Sequence, residues 1–218
     1  MATKGFFITF EGTEGCGKST QINLLAERFR GLGHPFRVLR EPGGTEIGEE
    51  VRHTLKHSAR NRSMSAEAEL LLMNASRAQL VREIIRPALL AGEIVVCDRF
   101  YDSTIAYQGY GRGLDMRFVR TVIDFAVGDV RPDLTLLLTI PVEISEARRR
   151  ERAGSNQPLR DRFEESGRDF FLRVERGYQA IASAEPDRVQ LIDGAQMPEV
   201  VAARVWQVIS SRLPKPDS

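Results

Sequence analysis

Residues Gly12-Thr13-Glu14-Gly15-Cys16-Gly17-Lys18-Ser19 complete the spacing G-x-x-x-x-G-K-[ST]. A glycine-rich turn of this kind aims successive backbone N–H groups, and the N-terminus of the following helix, at an anion. Lys18 is then placed to reach the β- and γ-phosphates of a nucleoside triphosphate, and the Ser19 hydroxyl to hold Mg²⁺. From average residue frequencies, a chain of this length would match the pattern by chance roughly one time in a hundred. The context strengthens the match: Phe6–Phe10 is an apolar run, and Gln21–Ala26 has helical periodicity. A bound triphosphate is the reading, against a plain glycine-rich turn.

Three further constellations could serve phosphate chemistry. Asp98-Arg99-Phe100-Tyr101-Asp102-Ser103 follows the apolar run Ile94–Cys97. An Asp at the end of a buried strand is placed to organise the Mg²⁺ shell, and the planar fork of Arg99 suits a second phosphate; the alternative is a strand-end salt bridge. Arg40-Glu41-Pro42-Gly43-Gly44 sets an arginine before a stiff, tight turn, a pattern that alone marks only the turn. Arg52 lies on the first turns of the next helix, a surface residue unless it points inward. The segment Arg148-Arg149-Arg150-Glu151-Arg152 opens into a polar stretch through Pro158, followed by Arg160-Asp161-Arg162. It reads as a mobile lid at about residues 148–165, whose arginines would stabilise a migrating phosphoryl group and exclude water. Taken alone it reads rather as a solvated charged face or a docking patch for an acidic partner; the phosphate loop tips the reading to a lid.

The elements that must position these residues alternate as short apolar runs and longer helical patterns, the signature of an α/β fold with a helix-flanked parallel sheet. Five strands are expected at Gly5–Phe10, Pro35–Leu39, Ile94–Cys97, Leu134–Ile140 and Val189–Ile192. The unbroken run at Leu134–Leu138 predicts a central strand buried on both faces. Helices are expected at Ile47–Leu55, Ser65–Leu90, Met116–Val127, Val142–Arg152, Ser166–Ala184 and Pro198–Ile209, with Pro87 kinking or ending the second of these. In such sheets the loops after Phe10, Leu39 and Cys97 converge on one site. No repeat or linker divides the chain, so residues 1–213 read as one domain with a frayed tail at 214–218.

Composition narrows the function. The chain has 218 residues, is 42% hydrophobic and carries a net charge of +1, which argues against a nucleic-acid-coating or membrane-surface role. No apolar run approaches a membrane span, the N-terminus does not read as a signal peptide, and two cysteines make no disulfide framework. A cytoplasmic location is the expectation. His34, His53 and His57 lack metal-ligand spacing with the cysteines. The guanine-reading Asn-Lys-x-Asp motif is absent, which weakens a GTP-switch reading.

Taken together, Phe10-Glu11-Gly12 through Thr20, Arg40-Glu41-Pro42-Gly43-Gly44-Thr45, Ala75-Ser76-Arg77 and Asp98 through Gly113 resemble the thymidylate kinase family, bacterial type, from Phe6 to about Gly194. The resemblance implies a phosphate-loop kinase fold with a five-stranded parallel sheet, ATP and Mg²⁺, phosphorylation of dTMP to dTDP, and a homodimer. It implies an ATP cradle of Gly12, Thr13, Glu14, Gly15, Cys16, Gly17, Lys18, Ser19 and Thr20, with Ser19 and Asp98 toward the metal. Arg99, helped by Arg40 and Arg52, grips the acceptor phosphate. Glu14 lies near the sugar 3′-hydroxyl, Tyr107 beside the deoxyribose, and Arg77, Ser103, Thr104 and Gln108 read the thymine edge. A Glu41-Pro42 cis peptide belongs to the same pocket. Two positions depart from the family pattern: Met73 replaces a stacking Phe, and Gly15 stands where one branch has a loop arginine. The transition-state cation then falls to the lid, to Arg152 or Arg148, with Lys18 and Arg99 completing the catalytic set. The alternatives are a kinase for another small acceptor, or a nucleotide-dependent regulatory module.

Overall fold

The chain alternates strand and helix from end to end. The computed structural model describes residues 5–58, 61–153 and 167–214; the side chains of residues 62 and 149–153 fall outside that description. In chain order the elements are β1 (Phe6–Glu11), α1 (Lys18–Leu32), β2 (Phe36–Arg40), α2 (Glu46–Lys56), α3 (Ala66–Leu80), α4 (Arg86–Leu90), β3 (Ile94–Asp98), α5 (Tyr101–Thr104), α6 (Met116–Val127), β4 (Leu134–Thr139), α7 (Val142–Ala153), α8 (Arg168–Ala184), β5 (Val189–Asp193) and α9 (Pro198–Ser210). Short π-helical segments at Val81–Ile85 and Ile105–Gly111 join α3 to α4 and prolong α5.

The five strands pair in parallel in the order β2-β3-β1-β4-β5. The order reverses around β1, so the crevice beyond the carboxyl ends of β1 and β3 is the natural ligand site of such a sheet. Register places Phe10 beside Asp98, and Arg40 beside Asp98 on its other side. Both sheet faces are covered, which is why β3 and β4 are apolar rather than alternating. Phe7, Val95, Cys97 and Leu137 pack beneath α3, α6 and α8; Ile8, Phe10, Val96, Leu136 and Leu138 pack beneath α1 and α9. The edge strand β2 is partly exposed and carries the Arg37–Glu93 ion pair.

The stretch expected as one helix over Ser65–Leu90 begins where Ser65 caps it, its Oγ accepting from the Ala68 N–H at 3.2 Å. Pro87 lies in the first turn of α4. Proline has no N–H for the Glu83 carbonyl and its ring crowds that carbonyl. The preceding turn therefore widens to a π-helix, and the Arg86 N–H reaches back to the Val81 carbonyl. The other elements lie within two residues of their expected bounds, save that α1 extends well past the Gln21–Ala26 periodicity in both directions and that the helix through Tyr101–Gly111 had no counterpart in the sequence. Gly177 lets α8 approach that segment closely: a Cβ there would meet the Ala106 Cα at 3.0 Å and the Tyr110 ring at 2.9 Å.

Candidate active site

The phosphate loop leaves β1 through Gly12 at a φ of 132°, where a Cβ would strike the Leu138 carbonyl oxygen at 2.3 Å. The turn can be made here only without a side chain. Lys18 is buried, its Nζ donating to the carbonyls of Gly12 at 3.0 Å and Thr13 at 3.1 Å. That pose keeps the ammonium inside the curl of the loop. Gly15 and Cys16 complete the curl, with Cys16 buried below it. Ser19 and Thr20 open α1 and are exposed. From α7, the Ser145 hydroxyl donates to the Glu14 carbonyl at 2.6 Å, and Arg148 Nη1 to the carbonyls of Gly15 and Gly194 at 3.2 Å each. Arg148 thus spans the loop and the segment after β5.

At the end of β3, Asp98 Oδ1 is buried with no hydrogen-bond partner among the described residues. An orphaned carboxylate oxygen beside a phosphate loop, with a serine hydroxyl at the first turn of α1, suits Mg²⁺. That ion is commonly held by one or two oxygen ligands, with phosphates and waters filling its octahedron.

Beyond Asp98 the chain turns sharply. Arg99 adopts a φ of 73°, a left-handed conformation costly for a residue with a Cβ. Its N–H donates to the Phe10 carbonyl at 2.9 Å, and the next N–H, of Phe100, donates to Glu11 Oε1 at 2.7 Å. Those two bonds hold the turn and aim the Arg99 guanidinium into a cleft. Arg99 donates to Ser103 Oγ and the Tyr178 hydroxyl at 3.1 Å each, and to the Tyr107 hydroxyl at 3.2 Å. Glu11 anchors this cluster from below, accepting from the Ser103 hydroxyl at 2.6 Å and the Tyr178 hydroxyl at 2.8 Å. Burial, reinforced by Asp102, pushes the Glu11 carboxyl above the usual range against the pull of Arg99. Burial and then Glu11 raise the Tyr178 hydroxyl well above its ordinary value, keeping it a neutral donor.

The cleft encloses about 440 Å³, open solvent included, and is lined by Glu14, Glu41, Pro42, Lys56, Met73, Arg77, Arg99, Ser103, Thr104, Tyr107 and Gln108. Its floor is Arg77, fully buried and ion-paired to Glu41 at 2.7 Å. Arg77 also donates to Asn74 Oδ1 at 2.8 Å, Thr104 Oγ1 at 2.9 Å and the Phe100 carbonyl at 3.1 Å. The Glu41-Pro42 bond is cis, as the resemblance implied. Burial pushes the Glu41 carboxyl up to about 7, against the Arg77 guanidinium, which pulls it down. A raised carboxyl favours the folded state below its unfolded value and loses that contribution as pH rises through its folded value. Between about pH 5.5 and pH 8 the wild type should therefore lose about 2 kcal/mol relative to Glu41→Gln. Denaturant unfolding of both proteins at the two pH values checks this; parallel pH profiles would contradict it.

The structure thus gathers Glu14, Glu41, Pro42, Met73, Arg77, Arg99, Ser103, Thr104, Tyr107 and Gln108 around one cleft. Arg40 and Arg52 do not line it. Arg40 is half-exposed and paired to Glu49 at 2.8 Å, while Arg52 Nη1 donates to the Pro42 carbonyl at 2.9 Å. Each braces the Pro42 turn from outside. The side chain of Arg152, and Arg160, Arg162 and the rest of 154–166, lie outside the described residues, as does the tail at 215–218. Sequence reasoning missed Glu11, Lys56, Asn74 and Tyr178. Glu11 is a charged residue ending a buried strand, a signal that was available. Tyr178 shares the apolar face of α8 with Val174 and Ile181, so its periodicity reads as core.

A complete phosphate loop at the end of the central strand, with a separate cationic cleft beside it, defines a phosphotransferase of the nucleoside monophosphate kinase type. The profile of the family described as Thymidylate kinase matches residues 10–205. A thymidylate kinase of Synechococcus sp. (strain JA-2-3B'a(2-13)) is 48% identical over 208 residues, covering 95% of this chain and 96% of its own. One from Geobacter sulfurreducens is 46% identical over 212 residues, covering 97% and 99%. The crystal structure of thymidylate kinase from Ehrlichia chaffeensis superposes with a TM-score of 0.76 at 33% identity, covering 94% of this chain and 99% of that one. The chain belongs to the thymidylate kinase family.

Proposed function

We propose that the chain transfers the γ-phosphoryl group of ATP to dTMP, giving ADP and dTDP. The observation that carries this reading is the cleft: a cationic end at Arg99 beside the phosphate loop, and a polar end at Arg77, Thr104 and Gln108 suited to a base edge. An oxygen of the dTMP phosphate attacks the γ-phosphorus in line as the bond to the β-phosphate oxygen breaks. No general base is needed, because the attacking oxygen is already anionic near neutral pH. The main obstacle is repulsion between two anions, so the protein supplies cations and alignment. Lys18 and the loop N–H groups hold the donor phosphates; Arg99 holds the acceptor; Tyr107 and Glu14 flank the sugar; Met73 covers the base, its thioether replacing an aromatic stack. Ser19 and Asp98 would hold Mg²⁺, which would offset the charge of the donor phosphates. With Gly15 uncharged, the cation for the moving group comes from Arg152 or Arg148; the Arg148 bond to the Gly15 carbonyl favours a place over the loop.

Homodimer formation is part of the same proposal. Phe118 and Phe125 on α6 are 67% and 86% exposed, and Leu71 on the neighbouring α3 is 58% exposed. Exposed apolar side chains on two packed helices suit contact with a second copy.

The reading is tested by ADP formation with and without dTMP. Turnover should depend on dTMP and yield dTDP in equal amount. ATP binding without acceptor-stimulated turnover would favour a regulatory module.

A further inference from the structure

Gln108 can present either of two atoms to the base, and its neighbours decide which. Its amide Nε2 lies 2.9 Å from Glu69 Oε1. A carboxylate only accepts, so the atom facing it must be the NH₂ group. Glu69 is fully buried, and Arg112 grips it through Nε to Oε1 at 3.1 Å and Nη2 to Oε2 at 2.9 Å. Arg112 is itself stacked 4.6 Å over the Phe170 ring. Each element of this chain is fixed by the next, and its outcome is that the Gln108 carbonyl oxygen is left for the cleft that Gln108 lines.

We propose that Glu69 is a positioning residue that sets base selectivity, by locking the Gln108 amide with its carbonyl toward the base. The inference rests on the dTMP reading above. Thymine carries a donor at N3–H between two carbonyl acceptors, whereas cytosine carries an acceptor at N3. A fixed carbonyl pairs with the first and opposes the lone pair of the second. Of the other polar groups at this end, the Thr104 hydroxyl cannot discriminate alone. The Thr104 hydroxyl accepts from Arg77 at 2.9 Å and can turn its own proton or a lone pair to the base. Arg77 has its donors engaged by Glu41, Asn74, Thr104 and Phe100, so it supplies charge and rigidity more than a free N–H. The amide locked by Glu69 is therefore a group whose direction separates the two pyrimidines at N3.

The test compares dTMP and dCMP as acceptors for the full-length wild type, Glu69→Gln and Glu69→Asp. In Glu69→Gln the new amide can donate to Gln108 and let it turn over. The ratio of kcat/KM for dTMP to that for dCMP should fall at least about tenfold, a scale set by losing one directed hydrogen bond. Most of the change should lie in KM for the acceptor, with KM for ATP unaltered. Glu69→Asp keeps an acceptor-only group and should retain the larger part of the wild-type ratio. A Glu69→Gln protein that loses activity on both acceptors in proportion would overturn the inference and leave Glu69 a structural residue. If Glu69→Gln does not fold, Gln108→Met decides: rejection of dCMP should drop to within a few-fold of dTMP, and undiminished rejection overturns the proposal. A wild type inactive on dTMP would instead defeat the functional reading itself, so the two failures are distinct.

Discussion

Replacing Arg99 with Ala should lower kcat/KM for dTMP by about a thousandfold, the scale for removing a charged donor from a reacting phosphate. ATP affinity should change little. Arg99 points into the acceptor cleft and makes its side-chain bonds to Ser103, Tyr107 and Tyr178, not to the phosphate loop. The substitution keeps a Cβ at the left-handed position, so it adds no new backbone strain. Arg99→Lys retains charge but loses the planar fork, and should recover only part of the activity. Steady-state kinetics with a separate ATP-binding titration checks the division of roles. Equal loss of ATP binding and turnover would contradict it.

The second large effect is expected at Lys18. Lys18→Ala should lower kcat by about a thousandfold while leaving dTMP binding within a few-fold, because its ammonium serves the donor phosphates as charge moves onto them. Its contacts in the free protein are to the loop's own carbonyls at Gly12 and Thr13, so it sits in place before nucleotide arrives. Removing it takes a donor from the Gly12 and Thr13 carbonyls, so unfolding should be measured alongside. Single-turnover kinetics at saturating dTMP measures the effect; a change confined to KM for ATP would show that Lys18 binds without assisting the reaction.

Different parts of the molecule were legible for different physical reasons. The phosphate loop could be read because its glycines are required by a turn that admits no Cβ, as at Gly12. The buried strands could be read because parallel strands covered on both faces are continuous apolar runs, as at Leu134–Leu138. The helix through Tyr101–Gly111 was not read as one. Ser103, Thr104 and Gln108 face a cleft instead of solvent, which erases the usual amphipathic pattern, and Gly109 and Gly111 suggest a loop. The supporting residues were hidden for a related reason. Glu11, Glu69 and Tyr178 act through partners distant in sequence, such as Ser103, Gln108 and Arg99, and no local spacing encodes those meetings. The π-helical turn before Pro87 is a further case: the proline signals an irregularity, but where the backbone absorbs it depends on the packing of Val81 and Ile85 in the core.

The central claim is that the cleft beside Arg99 is built for the phosphate and base of dTMP. The most direct measurement is kcat/KM, with ATP as donor, across dTMP, dUMP, dCMP and dGMP. dTMP should be the best acceptor, with dUMP lower by about ten- to two-hundredfold, the discrimination one methyl group can support. dCMP and dGMP should be poorer still, because they lack the N3–H or N3 geometry that a fixed carbonyl accepts. A higher kcat/KM for any other acceptor, or ADP formed equally fast without one, would contradict the account.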